Sequence, residues 1–243
     1  AANSAFACDL TAADVTSAWA GIRPLVADEG SPTPSDVSRD YEILDETPGV
    51  YMICGGKLTT GRSMAEALVD RVIDREGRHF ARRPARCRTA NSLLPGAASG
   101  FSRYRKRAIA DLADGWGMPG ESAAHLVDKY GTHYVRVLGA AGRDPSLLAP
   151  IRNGSPDLQA EAAYAAEHEM VVTLDDFMRR RSDLMLFGNG LDSGADPAVV
   201  RVLANSLGWD AAETQRQTES YERNFARMMA FRSDAPSPAT PVR

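Results

Sequence analysis

A glycine pair followed by a lysine is the stretch whose residue types could do chemistry most directly. Gly55-Gly56-Lys57-Leu58-Thr59-Thr60 follows an apolar run and precedes apolar residues at helical spacing, which predicts a turn between a strand and a helix. Glycines at such a turn let a ligand approach the N–H groups of the helix N-terminus. Lys57 opposes the helix dipole there, so a phosphate or a reduced, anionic cofactor nearby would be favourable. The alternative is an ordinary tight turn with Lys57 in water.

Two arginines in apolar company are the other candidates for chemistry. Arg23 lies between Ile22 and Pro24, and Arg39 shares a predicted strand face with apolar side chains. A buried guanidinium needs an anionic partner, and its planar fork suits carboxylate or phosphate. An internal ion pair is the favoured explanation for either arginine alone. Convergence of both with Lys57 would instead indicate an anion site.

The elements that would position these residues are a hairpin and a helix. Residues 37–44 alternate in polarity, and a Thr47-Pro48-Gly49 turn leads into the apolar run 50–54, which predicts a β-hairpin. A helix is expected to follow, with its apolar face running from Met64 to Ile73. Upstream, the capping pattern of Thr11 and Asp14 predicts a short helix and then a strand before Leu25.

The second half of the sequence predicts helices throughout. Their expected ranges are 102–113, 121–130, 158–170, 173–181, 196–207 and 211–231. The fold class is therefore α+β, mainly α. We expect three regions: residues 1–85 as the end of a larger binding domain, 86–232 as a helical domain, and 233–243 as a disordered tail.

Composition excludes several classes of protein. A formal net charge of -4 and a pI near 5.6 argue against nucleic acid as a partner. No apolar stretch reaches the roughly 18 residues of a membrane span, and three cysteines without CxxC spacing suggest neither disulfides nor zinc. The four histidines show no metal-ligand spacing, so no metal site is expected. A cytoplasmic location follows.

Basic clusters need a separate explanation. Solvated helix faces are the favoured one, and contact with anionic lipid headgroups is the alternative. The residues concerned are Arg82, Arg83, Arg86, Arg88, Arg103, Arg105, Lys106, Arg107 and Arg179 to Arg181.

An ordered set of short motifs resembles the C-terminal half of the FAD-dependent aerobic glycerol-3-phosphate dehydrogenases. The set covers nearly the whole chain, except weakly at 96–120 and in the tail. Its members are Trp19 to Leu25, Ser38-Arg39-Asp40, Gly55 to Thr60, Tyr130-Gly131, Ala160 to Ala165 with Glu169, Thr173 to Asp176 with Arg179-Arg180, and Leu207 to Asp210.

The resemblance implies a role for each candidate residue. Arg23, Arg39 and Lys57 would bind the substrate's phosphate and hydroxyl groups. Gly61 stands where the family usually has tyrosine. The turn formed by Gly55, Gly56, Lys57, Leu58 and Thr59 would face the pyrimidine edge of the flavin, and no catalytic residue is assigned in this chain.

The resemblance also implies partners that the whole protein would have. These are FAD, glycerol 3-phosphate, a quinone as electron acceptor, a second protomer and peripheral contact with the inner face of the cell membrane. We expect the dinucleotide-binding half to be absent from this chain, which alone would not be catalytically competent. The alternatives are a non-catalytic helical interaction or oligomerisation module, and a related FAD-dependent oxidase of another phosphorylated substrate.

Overall fold

The computed structural model describes residues 2–6, 8–11, 14–22, 40–82, 84–187 and 194–232. Internal contacts divide the chain into two compact units. We call residues 20–94 the hairpin unit, and residues 1–19 with 95–243 the helical unit. The expected domain bounds of 1–85 and 86–232 stay a prediction, and the tail from 233 lies outside the described residues.

The hairpin unit contains the strands and one long helix. Strand β1 (Tyr41–Leu44) pairs antiparallel with β2 (Met52–Gly55), so that Tyr41 lies opposite Gly55. A 3₁₀ turn, Leu58–Thr60, leads into α2 (Gly61–Glu76). The predicted hairpin and helix are confirmed, although residues 37–39 of the first predicted strand lie outside the described residues.

The hairpin unit leaves much of its apolar surface exposed. Within its described residues no side chain reaches full burial. Polar contacts hold α2 to the strands: the Tyr51 hydroxyl donates to Glu76 Oε1 over 2.7 Å, and Arg75 Nε lies 3.1 Å from Asp45 Oδ2. Large apolar side chains that remain exposed are Ile22, Tyr41, Leu44, Val50, Met52, Leu58, Val69, Phe80, Leu93 and Leu94.

The helical unit confirms a mainly α chain. Its described helices are α1 (Ala2–Phe6), α3 (Phe101–Trp116), α4 (Gly120–Tyr130), α5 (Tyr134–Arg143), α6 (Gln159–His168), a π-helical turn (Asp176–Arg181), α7 (Leu184–Phe187), α8 (Pro197–Leu207) and α9 (Ala211–Met229). Among the residues that the structure describes, no helix is both long and apolar enough to cross a membrane.

Helix α6 lies at the centre of this unit and is buried on most of its circumference. Ala162 and Ala163 belong to a hydrophobic cluster shared with α8 and α9, whereas Ala160 and Tyr164 belong to a second cluster shared with α3, α4 and α5. A run of alanines permits this, because small side chains let neighbouring helices approach from both sides. One polar residue, Glu161, is buried among them with no exposed surface.

Side-chain caps fix several helix starts as the sequence predicts. Asp196 Oδ1 accepts the Ala198 N–H over 2.9 Å, with Pro197 as the first residue of α8. Thr173 and Asp176 form a reciprocal box in which the Thr173 N–H donates to Asp176 and the Asp176 N–H to Thr173. These residues satisfy N–H groups that have no partner within their own helix.

Several elements differ from the sequence-based expectation. The short helix and the strand predicted between Thr11 and Leu25 are wrong for residues 15–22, which have no regular secondary structure. Helix α1 was not predicted. Tertiary contacts engage that segment instead: Ser17 donates to the Leu186 carbonyl over 2.7 Å, and Trp19 packs edge-on against Phe187. Helix α5 was not predicted.

Candidate functional site

The turn that follows β2 adopts a backbone that only glycine takes readily. Gly55 and Gly56 have φ of 76° and 80°. A Cβ at Gly56 would also lie 2.5 Å from the end of the Met64 side chain and 3.3 Å from Tyr41 Cβ. Both glycines are therefore needed to bring the chain from the strand into the helix.

Lys57 and Leu58 stand at the exposed start of the helical run. Lys57 is the N-terminal cap, and the Thr60 hydroxyl donates to its carbonyl over 2.9 Å. The Leu58 side chain is 99% exposed, and Thr59 is exposed beside it. The first N–H groups of a helix have no intrahelical partner, so this turn presents donors next to an apolar side chain.

The structure describes one of the three predicted cations. Arg23 and Arg39 lie outside the described residues, so their convergence with Lys57 stays a prediction. Lys57 is exposed and makes no ion pair within the described part of the chain. Gly61 begins α2 with helical φ and ψ, and a Cβ there would meet no heavy atom within 4 Å. There is therefore room for a side chain at Gly61, where the resemblance implies a tyrosine in related proteins.

A second polar site lies inside the helical unit, around Glu161. Lys129 Nζ lies 2.7 Å from Glu161 Oε2, and the Tyr130 hydroxyl donates to the same oxygen over 3.1 Å. Glu161 Oε1 accepts the Leu158 N–H over 2.8 Å. His125 Nε2 lies 3.2 Å from Oε1 and 3.1 Å from Oε2. The buried carboxylate is thus satisfied on both oxygens.

These contacts determine the charge state of the cluster. Burial opposes ionisation of Glu161, but hydrogen bonds and charges from His125 and Lys129 lower its pKa to about 2. Burial also opposes the charged form of His125, yet the hydrogen bond and charge of Glu161, together with Asp157, raise the His125 pKa overall. The pKa of Tyr130 is raised by burial and by the Glu161 charge, so its phenol stays protonated.

Asp157 extends this cluster towards solvent. Its Oδ1 lies 3.4 Å from His125 Nε2, and its Oδ2 accepts the Ser155 hydroxyl over 2.6 Å. His125 and Asp157 line a cavity of about 270 Å³ that also borders Arg152 and Asp183. Spacing along the sequence does not reveal the cluster, since His125 and Glu161 are 36 residues apart. The expectation of no metal site considered only the spacing of histidines along the sequence, which does not reveal a histidine placed beside two carboxylates from other segments.

Ion pairs neutralise part of the predicted basic surface. Arg105 pairs with Asp128 of α4, Arg107 lies 3.7 Å from Asp111, and Arg180 lies 2.8 Å from Asp176. The exposure of these side chains places the pairs in solvent, where each contributes little to stability. This supports solvated helix faces as the explanation for these arginines.

Comparison with known proteins gives consistent relatives. A family model described as the C-terminal domain of alpha-glycerophosphate oxidase matches residues 87–214. Glycerol-3-phosphate dehydrogenase 2 of Mycobacterium tuberculosis is 34% identical over 221 residues, covering 90% of this chain and 36% of that protein. The aerobic glycerol-3-phosphate dehydrogenase of Bacillus subtilis is 33% identical over 218 residues, covering 88% of this chain and 39% of that protein.

A solved structure agrees with the fold. The glycerol-3-phosphate dehydrogenase of Bacillus halodurans, complexed with FAD, has a TM-score of 0.73 and 30% sequence identity. It is matched over 100% of this chain and 45% of its own. The chain therefore spans less than half the length of these relatives. The resemblance that the motifs indicate is confirmed: the chain belongs to the family defined by the C-terminal domain of alpha-glycerophosphate oxidase.

Proposed function

We propose that this chain is the C-terminal part of a flavin-dependent glycerol-3-phosphate dehydrogenase. The whole protein would oxidise glycerol 3-phosphate to dihydroxyacetone phosphate and reduce FAD. The observation that carries the proposal is the exposed Gly55–Thr60 turn, with Lys57 at the start of a helical run. Relatives named glycerol-3-phosphate dehydrogenases support the substrate class.

The residues of the turn fit a flavin edge. Gly55 and Gly56, which the positive φ favours, have no side chain to block a ligand from the backbone, and the exposed Leu58 offers an apolar surface beside the helical N–H groups. FAD would supply the electron acceptor when bound. The amides of Leu58 and Thr59 would then stabilise negative charge at that edge, because a fixed helix N-terminus needs no reorganisation.

Lys57 would bind the phosphate end of the substrate. Its ammonium group is a compact cation on a flexible stem, which suits phosphate as a point charge. A negative ligand also removes the unfavourable interaction between this cation and the helix dipole. Arg23 and Arg39 would complete the anion site, a role that rests on the resemblance.

The exposed apolar side chains of the hairpin unit indicate that another protein surface packs over them. Seven large ones on and beside the hairpin and α2 are exposed, and a two-stranded hairpin is marginal on its own. We propose that the remaining part of the longer dehydrogenase covers them. Electron transfer to a quinone, a homodimeric state and a cytoplasmic, peripheral position on the membrane belong to the same proposal.

A helical interaction module is the second candidate. The buried hydrophobic residues of the described chain all lie between Ala108 and Tyr221, so the helical unit has a core of its own. Such a module would bind a partner with or without flavin. An intact dehydrogenase would require the flavin for its activity.

The test uses the longer protein that contains this chain, purified with its flavin. We expect glycerol 3-phosphate to bleach the absorption of the oxidised flavin anaerobically, with dihydroxyacetone phosphate as product. Glycerol, which lacks the phosphate, is the control and should reduce the flavin far more slowly. Absence of flavin, or equal reduction by both compounds, would contradict the proposed function.

A further inference from the structure

We infer that His125, Asp157 and Glu161 form a binding site for one divalent transition-metal ion in the helical unit. The His125 Nε2, Asp157 and Glu161 ligand atoms lie within 4.8 Å of one another. One nitrogen and two carboxylate oxygens are a donor set that suits zinc and its first-row neighbours. The site is separate from the turn proposed to face the flavin.

The distances around His125 fit metal ligands. Charge-assisted N–H···O bonds are usually about 2.7 to 2.9 Å long. Nε2 lies 3.1 Å from Glu161 Oε2, 3.2 Å from Glu161 Oε1 and 3.4 Å from Asp157 Oδ1. In a tetrahedral site with metal–ligand bonds of about 2.0 to 2.1 Å, neighbouring ligand atoms are roughly 3.3 to 3.4 Å apart.

Each carboxylate is oriented by other groups and has an oxygen close to His125. Both oxygens of Glu161 lie near His125 Nε2. Lys129 and Tyr130 also bind Oε2, whereas among the described residues Oε1 has one further bond, from the Leu158 N–H. Ser155 donates to Asp157 Oδ2 over 2.6 Å, and Oδ1 turns to the histidine. An ion bound to Oε1 and Oδ1 leaves all these supporting bonds intact. Supporting bonds of this kind orient ligands in protein metal sites.

The site is accessible, and a tetrahedral ion bound to its three ligands would have one free coordination position. Glu161 is buried, whereas His125 and Asp157 line a cavity of about 270 Å³ through which an ion and a fourth ligand can enter. With a neutral imidazole, the two carboxylates and Lys129 carry a net charge of -1. A divalent ion brings that sum to +1, and the cavity wall carries one residue of each sign, Arg152 and Asp183, which together leave it unchanged.

The test measures uptake of Co²⁺ and Zn²⁺ by the untagged, metal-free chain, using equilibrium dialysis and the visible spectrum of the cobalt form. We expect one ion per chain and the intense bands of low-coordinate cobalt. Asp157→Asn keeps the size of the side chain and can still accept the Ser155 bond. It should weaken binding at least about tenfold without changing the circular dichroism of the metal-free protein. His125→Gln should behave in the same way.

Two matched controls separate this site from other ligands. Asp183→Asn removes a carboxylate from the same cavity but outside the trio, and Cys87→Ser removes the exposed thiol. Both variants should bind cobalt as wild type does. The inference is overturned if wild type takes up no ion at millimolar cobalt, or if Asp157→Asn binds as tightly as wild type.

Discussion

Gly96 and Gly131 meet backbone to backbone in the helical unit. The Thr132 N–H donates to the Gly96 carbonyl over 2.7 Å, and a Cβ at Gly131 would overlap that carbonyl. Gly131 also has φ 56° and ψ -132°, a conformation that side chains exclude. The Tyr130-Gly131 pair was recognisable in the sequence as part of a resemblance. The physical reason for a glycine at position 131 is the close backbone crossing with Gly96, 35 positions earlier. That crossing was not recognisable from the sequence.

We expect Gly131→Ala to destabilise the protein by about 3 kcal/mol or more, because strain and overlap add. Gly139→Ala is the matched control: it lies inside α5 and a Cβ there meets nothing within 4 Å. That change should stabilise by about 0.5 to 1 kcal/mol. Urea unfolding measures both, and equal stabilities of the two variants would contradict this account.

Glu161 is the residue on which the buried polar cluster depends. Replacing it with glutamine removes the charge that faces Lys129 and His125 while keeping its shape, so we expect a loss of about 3 kcal/mol. Glu167→Gln is the control on the same helix, since Glu167 forms an exposed pair with Arg143 and should cost about 0.5 kcal/mol or less. Thermal unfolding at pH 7 compares them. A Glu161 variant as stable as its control would show that the cluster contributes nothing.

At the scale of elements, capping residues and apolar periodicity explain what the sequence could predict. Helices α3, α4, α8 and α9 have an apolar face and a recognisable start or stop. Helix α5 has neither a side-chain cap nor good propensity, because Gly139 and Gly142 lie within it. Burial of Val137, Leu138 and Ala141 stabilises α5 instead. These residues recur at helical spacing, so apolar periodicity was the signal that could have predicted α5.

The Thr173–Asp176 cap makes a prediction about acid stability. Burial opposes ionisation of Asp176, but hydrogen bonds from Thr173 and Val172 and the charge of Arg180 lower its pKa below the model-compound value. A lowered folded-state pKa contributes stability that is present above the unfolded pKa of about 3.9 and is lost as pH falls through the folded value.

Asp176→Asn should therefore cost about 1 kcal/mol at pH 7 and progressively less below pH 4. Urea unfolding from pH 7 down to pH 2.5 measures the difference from wild type. Asp114→Asn, at an exposed position of α3, should show no such trend. A constant difference between Asp176→Asn and wild type across this range would mean that the charge of Asp176 has no part in the cap.

At the scale of the whole molecule, the two units differ in how much hydrophobic core each contains. The helical unit has a continuous core, whereas the described part of the hairpin unit buries no side chain fully. Family membership and the α+β class were predictable from ordered motifs and periodicity. The buried His125–Asp157–Glu161 cluster was not, because its residues come from separate elements.

A fragment of residues 95–232 should fold on its own, because it contains every buried hydrophobic residue of the part of the chain that the structure describes. We expect a cooperative thermal transition by circular dichroism and dispersed amide signals by NMR. The fragment 20–94 is the comparison and should bind a hydrophobic dye, since its apolar surface is exposed. A helical fragment without a cooperative transition would show that its core needs the rest of the chain.

Anaerobic reduction of the flavin in the longer protein shows whether Lys57 binds the substrate's phosphate beside the flavin. Lys57→Ala would be compared with Lys106→Ala, which removes an exposed lysine of α3. We expect Lys57→Ala to keep its flavin but to need at least about tenfold more glycerol 3-phosphate, as loss of a charge-assisted contact implies, with glycerol unaffected. Reduction of the Lys57→Ala flavin at wild-type glycerol 3-phosphate concentrations would contradict this role of Lys57.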